Sequence, residues 1–215
     1  MAYATITTGR SLELLYGSGW GVFLTPDALA RNRPAFRWSQ AQDPPMTYAL
    51  DNGAWGAFTR QEAWDSGKFV ELLAELGHGA MFAAIPDIVE GGADSLALSL
   101  EWAPRVLEHT QLGLIPVQDG MTVADIEPHL SERVGVFVGG STGFKEDTLG
   151  MWAALAKRSG TYCHVGRVNS VRRTYKCINS IVDSIDGTSV TRFSSTLPRL
   201  DGARRQMSLM EVLGE

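Results

Sequence analysis

Cysteine is scarce in this 215-residue chain: Cys163 and Cys177 are too few for a disulfide framework or an all-cysteine zinc site. No stretch approaches eighteen apolar residues, which excludes a spanning helix and a membrane partner of that kind. The start, MAYATITTGR, lacks a signal peptide's basic end and apolar run, so a reduced, cytoplasmic protein is expected. No HExxH, Walker A or CxxC pattern occurs. Gly17-Ser-Gly-Trp-Gly-Val comes nearest to a dinucleotide fingerprint, but it lacks the third glycine and a helix-forming continuation. His78, His109 and His129 have no metal-ligand spacing, so no metal is expected.

A basic excess is missing too. The 19 Lys and Arg face 24 Asp and Glu, a net charge of −5, which argues against a surface that is all nucleic-acid footprint. The charge is uneven, however: residues 1–156 carry 9 basic against 19 acidic side chains, and residues 157–215 carry 10 against 5. Arg167, Arg172, Arg173, Lys176, Arg192, Arg199, Arg204 and Arg205 of that last quarter either track phosphates along one rim or are solvated helix faces.

What is present is ordinary globular composition, 44% hydrophobic with 23 glycines, and a βα rhythm consistent with a single domain over 1–215. Apolar runs ending in Gly, Asp, Asn or Ser mark strands at Tyr48–Asp51, Met81–Asp87, Leu112–Gln118, Val134–Gly139, Thr161–Gly166 and Ile181–Asp186, with two more near 3–7 and 19–24. Apolar periodicity and capping residues predict helices at about 60–77, 93–109, 122–132, 145–159, 169–180 and 203–213, the third opening on Thr122 with Asp125. Ser39–Pro45 reads as a loop leading into a strand. Eight strands separated by helices predict a compact (β/α)8 barrel of parallel strands, with an open doubly wound sheet as the alternative.

Polar residues stand where those strands end: Asp51-Asn-Gly53, Asp87, Gln118-Asp-Gly120, Gly139-Gly-Ser141, Gly166-Arg167 and Asp183-Ser-Ile-Asp186-Gly187. In a parallel barrel these ends converge on one face, where active sites are built. Any one of the aspartates taken alone is a helix cap; as a set on one rim they are candidates for chemistry. Gly139-Gly140 would let a ligand approach backbone N–H groups, or simply make a tight turn. His164, on an apolar strand, reads as a satisfied core histidine or a ligand-facing group.

Taken in order, these segments resemble the tRNA-guanine transglycosylases and their relatives that put 7-deazaguanine bases into DNA. Leu50-Asp-Asn-Gly-Ala-Trp55 is similar to the family's Asp-Ser-Gly-Gly-aromatic motif, and Ile85-Pro-Asp87 stands at its base-reading Asp. Pro116-Val-Gln-Asp-Gly120 resembles Val-Gln-Gly, Val136-Phe-Val-Gly-Gly-Ser141 resembles Ile-Gly-Gly-Leu, and Tyr162-Cys-His-Val-Gly166 sits at Tyr-Leu-Met-Gly. Val182-Asp-Ser-Ile-Asp-Gly-Thr-Ser-Val-Thr-Arg192 is similar to Val-Asp-Met-Phe-Asp-Cys-Val-Met-Pro-Thr-Arg. Asn52, Ala54 and Gly187 depart from the usual Ser, Gly and Cys, Asp119 follows Gln118, and no cluster of three Cys and one His stands for the zinc subdomain of the tRNA enzymes.

The resemblance implies base exchange that needs no cofactor: Asp186 as the nucleophile of a covalent glycosyl intermediate and Asp51 as the acid and base. Asp87, Gln118 and the N–H groups of Gly139 and Gly140 would read a guanine-like edge. Trp55 would stack on the base with His164 or Val165 opposite, although a packed core Trp fits that position equally. The implied partners are DNA, with tRNA second, and a free 7-deazaguanine base such as 7-cyano-7-deazaguanine. Arg167, Arg172, Arg173 and Arg192 would hold phosphates around a flipped nucleotide. A homodimer or a partner in a modification complex is compatible with the resemblance. The alternatives are a tRNA-guanine transglycosylase, an N-glycosidase using the same two aspartates with water as acceptor, and a non-catalytic barrel that binds a base.

Overall fold

A computed structural model of the chain describes residues 1–5, 8–193 and 195–213. Eight strands, β1 (Ala2–Ala4), β2 (Gly21–Leu24), β3 (Tyr48–Leu50), β4 (Ala83–Ala84), β5 (Gly113–Val117), β6 (Val134–Val138), β7 (Cys163–Val165) and β8 (Ser184–Asp186), close into a barrel in chain order. Every neighbouring pair is parallel, and β8 returns to β1 with Ala2 opposite Ile185 and Tyr3 opposite Asp186. That closure excludes the open doubly wound sheet. All eight expected strands are found, β1 answering to the run expected near 3–7, of which residues 6 and 7 lie outside the described residues. Asp183, at the start of β8, lies at the opposite barrel end from Asp186: its Oδ2 accepts the Cys163 N–H at 2.7 Å, and its carbonyl accepts the amino terminus of Met1 at 2.8 Å.

The barrel is filled rather than hollow. Tyr3, Phe23, Ala49, Phe82 and Leu114 form an inner cluster with Phe137 and Tyr162 packed on it. Tyr3 meets Phe82 edge-on with ring centroids 5.7 Å apart. Rings of this size leave no room at the neighbouring register position: a Cβ on Gly21, the partner of Tyr3 across β1 and β2, would stand 2.6 Å from the tyrosine ring. A second, larger core lies between the barrel and its helices and includes Leu12, Leu15, Phe69, Leu73, Trp152 and Leu155, all fully or almost fully buried.

The helices follow local signals. Helix α5 (Ala93–His109) has the expected bounds, and α7 (Thr142–Arg158) and α8 (Val171–Asn179) start where the Ser141 and Ser170 hydroxyls cap them. Four helices were not expected: α1 (Gly9–Gly17), opened by a Thr8–Ser11 capping box, α2 (Pro26–Gln40), opened by Thr25, and two short ones, α3 (Ala54–Arg60) and α9 (Ser189–Arg192). Helix α1 buries only Leu12 and Leu15, and α2 is bent at Asn32 ahead of Pro34, so neither shows a sustained periodicity. The helix expected over 60–77 is α4 (Ser66–Leu76), which starts later than expected because α3 ends at Arg60 and Gln61 then turns into the left-handed region. The helix expected at 122–132 is a single turn, α6 (Val123–Ile126), followed by a 3-10 turn over Glu127–His129 that contains Pro128; its Thr122–Asp125 capping box is as expected. After β8 come a short α9 (Ser189–Arg192) and α10 (Thr196–Leu213), which starts seven residues ahead of its expected position. Gly17-Ser-Gly-Trp-Gly-Val runs from a helix into a strand, the reverse of a dinucleotide-binding turn. No helix among the described residues is long and apolar enough to cross a membrane.

Candidate active site

At the carboxyl ends of the strands the loops enclose a cavity of about 540 Å³, a size suited to a small ligand. Asp51, Asp87, Gln118, Gly139, Gly140, Trp55, Arg167 and Asp186 all line it. Eight positions spread over more than 130 residues of sequence share one concavity because the parallel barrel carries every strand's last residue to the same face. A smaller cavity of about 220 Å³ adjoins it beside Thr25 and Asn52, but its carboxylates are already engaged: Arg60 pairs with Asp27 and Glu62, and Lys68 with Asp27 and Asp65.

Asp51 follows β3, and its Oδ1 accepts the Gly53 N–H at 2.8 Å. Burial pushes its carboxyl up to about 7; the Gly53 N–H opposes the rise, and the negative charges of Asp186 and Asp87 add to it. Asp87 is also raised by burial, against the hydrogen bond that Asn52 gives it. Asn52 is the local organiser. Its Nδ2 donates to the Ile85 carbonyl and to Asp87 Oδ1, both at 2.9 Å, and its Oδ1 accepts the Ala54 N–H at 2.8 Å, so it ties the β3 and β4 loops together.

Gln118 is nearly buried, and both hydrogens of its amide are spent, on the Ile88 carbonyl at 2.9 Å and the Ser95 hydroxyl at 2.5 Å. Only its carbonyl oxygen remains for a ligand, so it can accept a hydrogen bond but not donate one. The two glycines after β6 divide the work. The Gly139 N–H donates to the Val117 carbonyl at 2.9 Å within the barrel ladder, which corrects the expectation that it faces a ligand. Gly140 has φ +70°, and a Cβ there would stand 2.6 Å from Asp119 Oδ2; its N–H has no partner among the described residues. Asp119 braces this turn by accepting the Ser141 N–H and hydroxyl, both at 2.6 Å. Burial acts to raise its carboxyl, but those two donors outweigh it and hold it below its ordinary range.

Trp55 is not a core residue: it is 43% exposed at the cavity mouth, with Phe58 stacked beside it at 5.8 Å. The Arg167 guanidinium lies 4.1 Å from the center of its ring and also donates to the Gly140 carbonyl. Arg167 has φ +59°, a strained conformation for a side-chain-bearing residue, and its own N–H reaches Asp186 Oδ1 at 3.2 Å. Asp186 itself is 7% exposed, and the same Oδ1 is hydrogen-bonded to His164 Nε2 at 3.1 Å.

His164 does not line the cavity. It is fully buried among the barrel's aromatic rings, so the expectation that it faces a base is corrected: its contacts are Asp186 and Ser184. Val165, the alternative partner for Trp55, is buried as well. Among the four arginines expected to hold phosphates, only Arg167 lines the cavity. Arg172 and Arg173 stand on α8, where both pair with Glu146 of α7, and Arg192 is exposed on α9. Arg204 and Arg205 are drawn to Asp201 and to the Ser18 carbonyl at the amino end of β2, the far end of the barrel. The basic last quarter therefore does not form one rim.

Two structural residues escaped the sequence reading. Lys145, on α7, is buried and donates to the Gly166 carbonyl at 2.9 Å; burial and the charge of Arg167 push its ammonium down to about 8. Nothing in a helix with Lys at one position marks it as buried. Ser184 precedes Asp186 by two residues and so shares its inward face, a signal the period of two does contain.

No protein-family model and no curated protein matches the chain. Among solved structures it is similar to a chain from Coccidioides immitis assigned as a fructose-1,6-biphosphate aldolase, with a TM-score of 0.58 and 12% identity over 98% of this chain and 87% of that one. At that identity the likeness is one of fold, a (β/α)8 barrel.

Proposed function

We propose that this protein is a base-exchange transglycosylase that replaces guanine in DNA with a 7-deazaguanine derivative. The observation that carries the reading is the pair of carboxyl groups on one cavity in unlike surroundings. Asp51, pushed up to about 7, can hold a proton near neutrality and give it up. Asp186 accepts two hydrogen bonds at one oxygen, as suits a carboxylate nucleophile.

In this mechanism Asp186 attacks the anomeric carbon, and the bond to guanine breaks as Asp51 donates its proton to the departing base. The sugar is then esterified to Asp186. Asp51, now a carboxylate, takes the proton from the ring nitrogen of the incoming base, which attacks the same carbon and releases Asp186. Two inversions restore the original stereochemistry. The recognition groups fit a guanine-like edge: Gln118 can only accept, Asp87 offers a carboxyl oxygen, and the Gly140 N–H is a donor suited to a carbonyl oxygen. Trp55 offers an aromatic face at the mouth, and Arg167 a cation beside it for a phosphate.

The test supplies purified protein with isotope-labelled 7-deazaguanine bases and, separately, with DNA and with tRNA, followed by nucleoside mass spectrometry. Label in deoxynucleosides is expected. Label only in tRNA would make the tRNA the substrate, and guanine release without label would make the protein an N-glycosidase.

A further inference from the structure

His164 is buried, titratable and unused by the mechanism above. It is fully enclosed, with the rings of Phe137, Phe82, Phe23 and Tyr3 centred 4.7, 4.9, 5.5 and 6.3 Å from its own. Both ring nitrogens are nonetheless satisfied, Nδ1 by the Ser184 hydroxyl at 2.7 Å and Nε2 by Asp186 Oδ1 at 3.1 Å. A polar ring in an aromatic cage costs stability unless both nitrogens are paired, so the cage dictates the contacts as much as the contacts dictate the cage.

The tautomer follows from the partners. An ionised carboxylate can only accept, so the neutral ring must carry its proton on Nε2 and donate it to Asp186; Nδ1 is then an acceptor, and the Ser184 hydroxyl donates to it. Burial lowers the pKa of His164, the carboxylate of Asp186 opposing, which agrees with a neutral ring. Oδ1 also receives the Arg167 N–H, aimed by the left-handed backbone at that residue. Oδ2 has no partner among the described residues, while Asp186 lines the cavity.

We infer that His164 is a positioning residue which, with Ser184 behind it, pins Asp186 by one carboxylate oxygen so that the other is presented to the sugar. The inference rests on the reading of Asp186 as nucleophile. It assigns the β7 histidine to the geometry of that nucleophile and not to the base.

Two measurements test it. The first needs no activity: ring-nitrogen NMR of His164 in the wild-type protein should show the Nε2–H tautomer, its resonances shifted in Asp186→Ala and unchanged in Asp51→Asn. A proton on Nδ1, or indifference to Asp186→Ala, would overturn the inference even if exchange were robust. The second compares kinetics. His164→Leu, apolar and close in size, should lower kcat about 10²-fold with KM nearly unchanged, the loss expected when a reacting group is misplaced. His164→Gln, which keeps a donor near the Nε2 position, should recover much of that loss, with the thermal unfolding of both variants followed in parallel. Equal kcat losses in the two variants at equal unfolding temperature would exclude positioning. Absence of exchange by the wild-type protein on any substrate would end the transglycosylase reading instead, and the NMR result would still decide the tautomer and the contact.

Discussion

Asp51 and Asp186 are the same side chain with different neighbours, and in the proposed reaction those neighbours fit them to different work. Asp186→Ala should abolish exchange while leaving the fold intact, and the wild-type enzyme quenched during turnover should yield a glycosyl adduct on Asp186; an adduct on Asp183, at the far end of β8, would refute the assignment. Asp51→Asn keeps shape and the acceptor for the Gly53 N–H while removing proton transfer, so turnover should fall by about 10² to 10⁴-fold with base binding retained, as titration calorimetry would show. The same substitution predicts a stability change. A carboxyl that rises from 3.8 to about 7 on folding costs nothing below about pH 3, where folded and unfolded chains both hold the proton. The penalty grows between about 4 and 7 and is constant above. Urea unfolding should therefore show Asp51→Asn equal to wild type at about pH 3 and more stable at about pH 8.

At the scale of elements, the loop after β7 depends on a helix that never reaches the cavity. Lys145 of α7 holds the Gly166 carbonyl, Arg167 then turns left-handed, and the Arg167 and Val168 N–H groups close on the Asp186 side chain and carbonyl. Lys145→Met fills the same space but removes the donor. Hydrogen exchange of the Arg167 and Val168 amides should accelerate in that variant, with amides of β5 and β6 unaffected; unchanged protection at 167 and 168 would mean that the loop is held without Lys145. The loop after β3 is tied the same way by Asn52 to the loop after β4. Short strands make such ties necessary: β3, β7 and β8 have three residues each, so their ends are held by loops more than by ladder bonds.

For the whole molecule, charge placement decides how nucleic acid would approach. The carboxyl groups of Asp51, Asp87, Glu90, Asp119 and Asp186 line the cavity, and Arg167 is the basic residue lining it among those described. Phosphates would therefore be met at the mouth and outside it, by Arg167 and the exposed Arg192 and Arg172. Since Glu146 already offsets Arg172 and Arg173, Arg192→Glu should weaken DNA binding more than Arg172→Glu, and the dependence of log K on log salt should become shallower by about one phosphate contact for the former. Binding of free base should be unchanged in both, because neither residue lines the cavity. Fluorescence titrations at two salt concentrations would check this, and equal salt slopes in wild type and Arg192→Glu would remove Arg192 from the interface.

The eight strands, and the polar residues that end six of them, were legible in the sequence because a buried parallel strand must be a short apolar run and its exit must turn. The same rule, applied to a parallel barrel, brings Asp51, Asp87, Gln118 and Asp186 to one face. Helices α1 and α2 were not legible: one is too short and the other too kinked at Asn32 and Pro34 to sustain a period, and packing on the barrel holds them. Which groups remain free for a ligand was decided by the tertiary structure alone. The Gly139 N–H and the Gln118 amide hydrogens are spent on neighbours from distant segments, His164 turns inward onto Asp186, and the arginines of the last quarter scatter over both ends of the barrel. Sequence determines the kind of group at each strand end through local periodicity, whereas its hydrogen-bond partners depend on contacts between residues far apart in the chain, which only the closed barrel brings together.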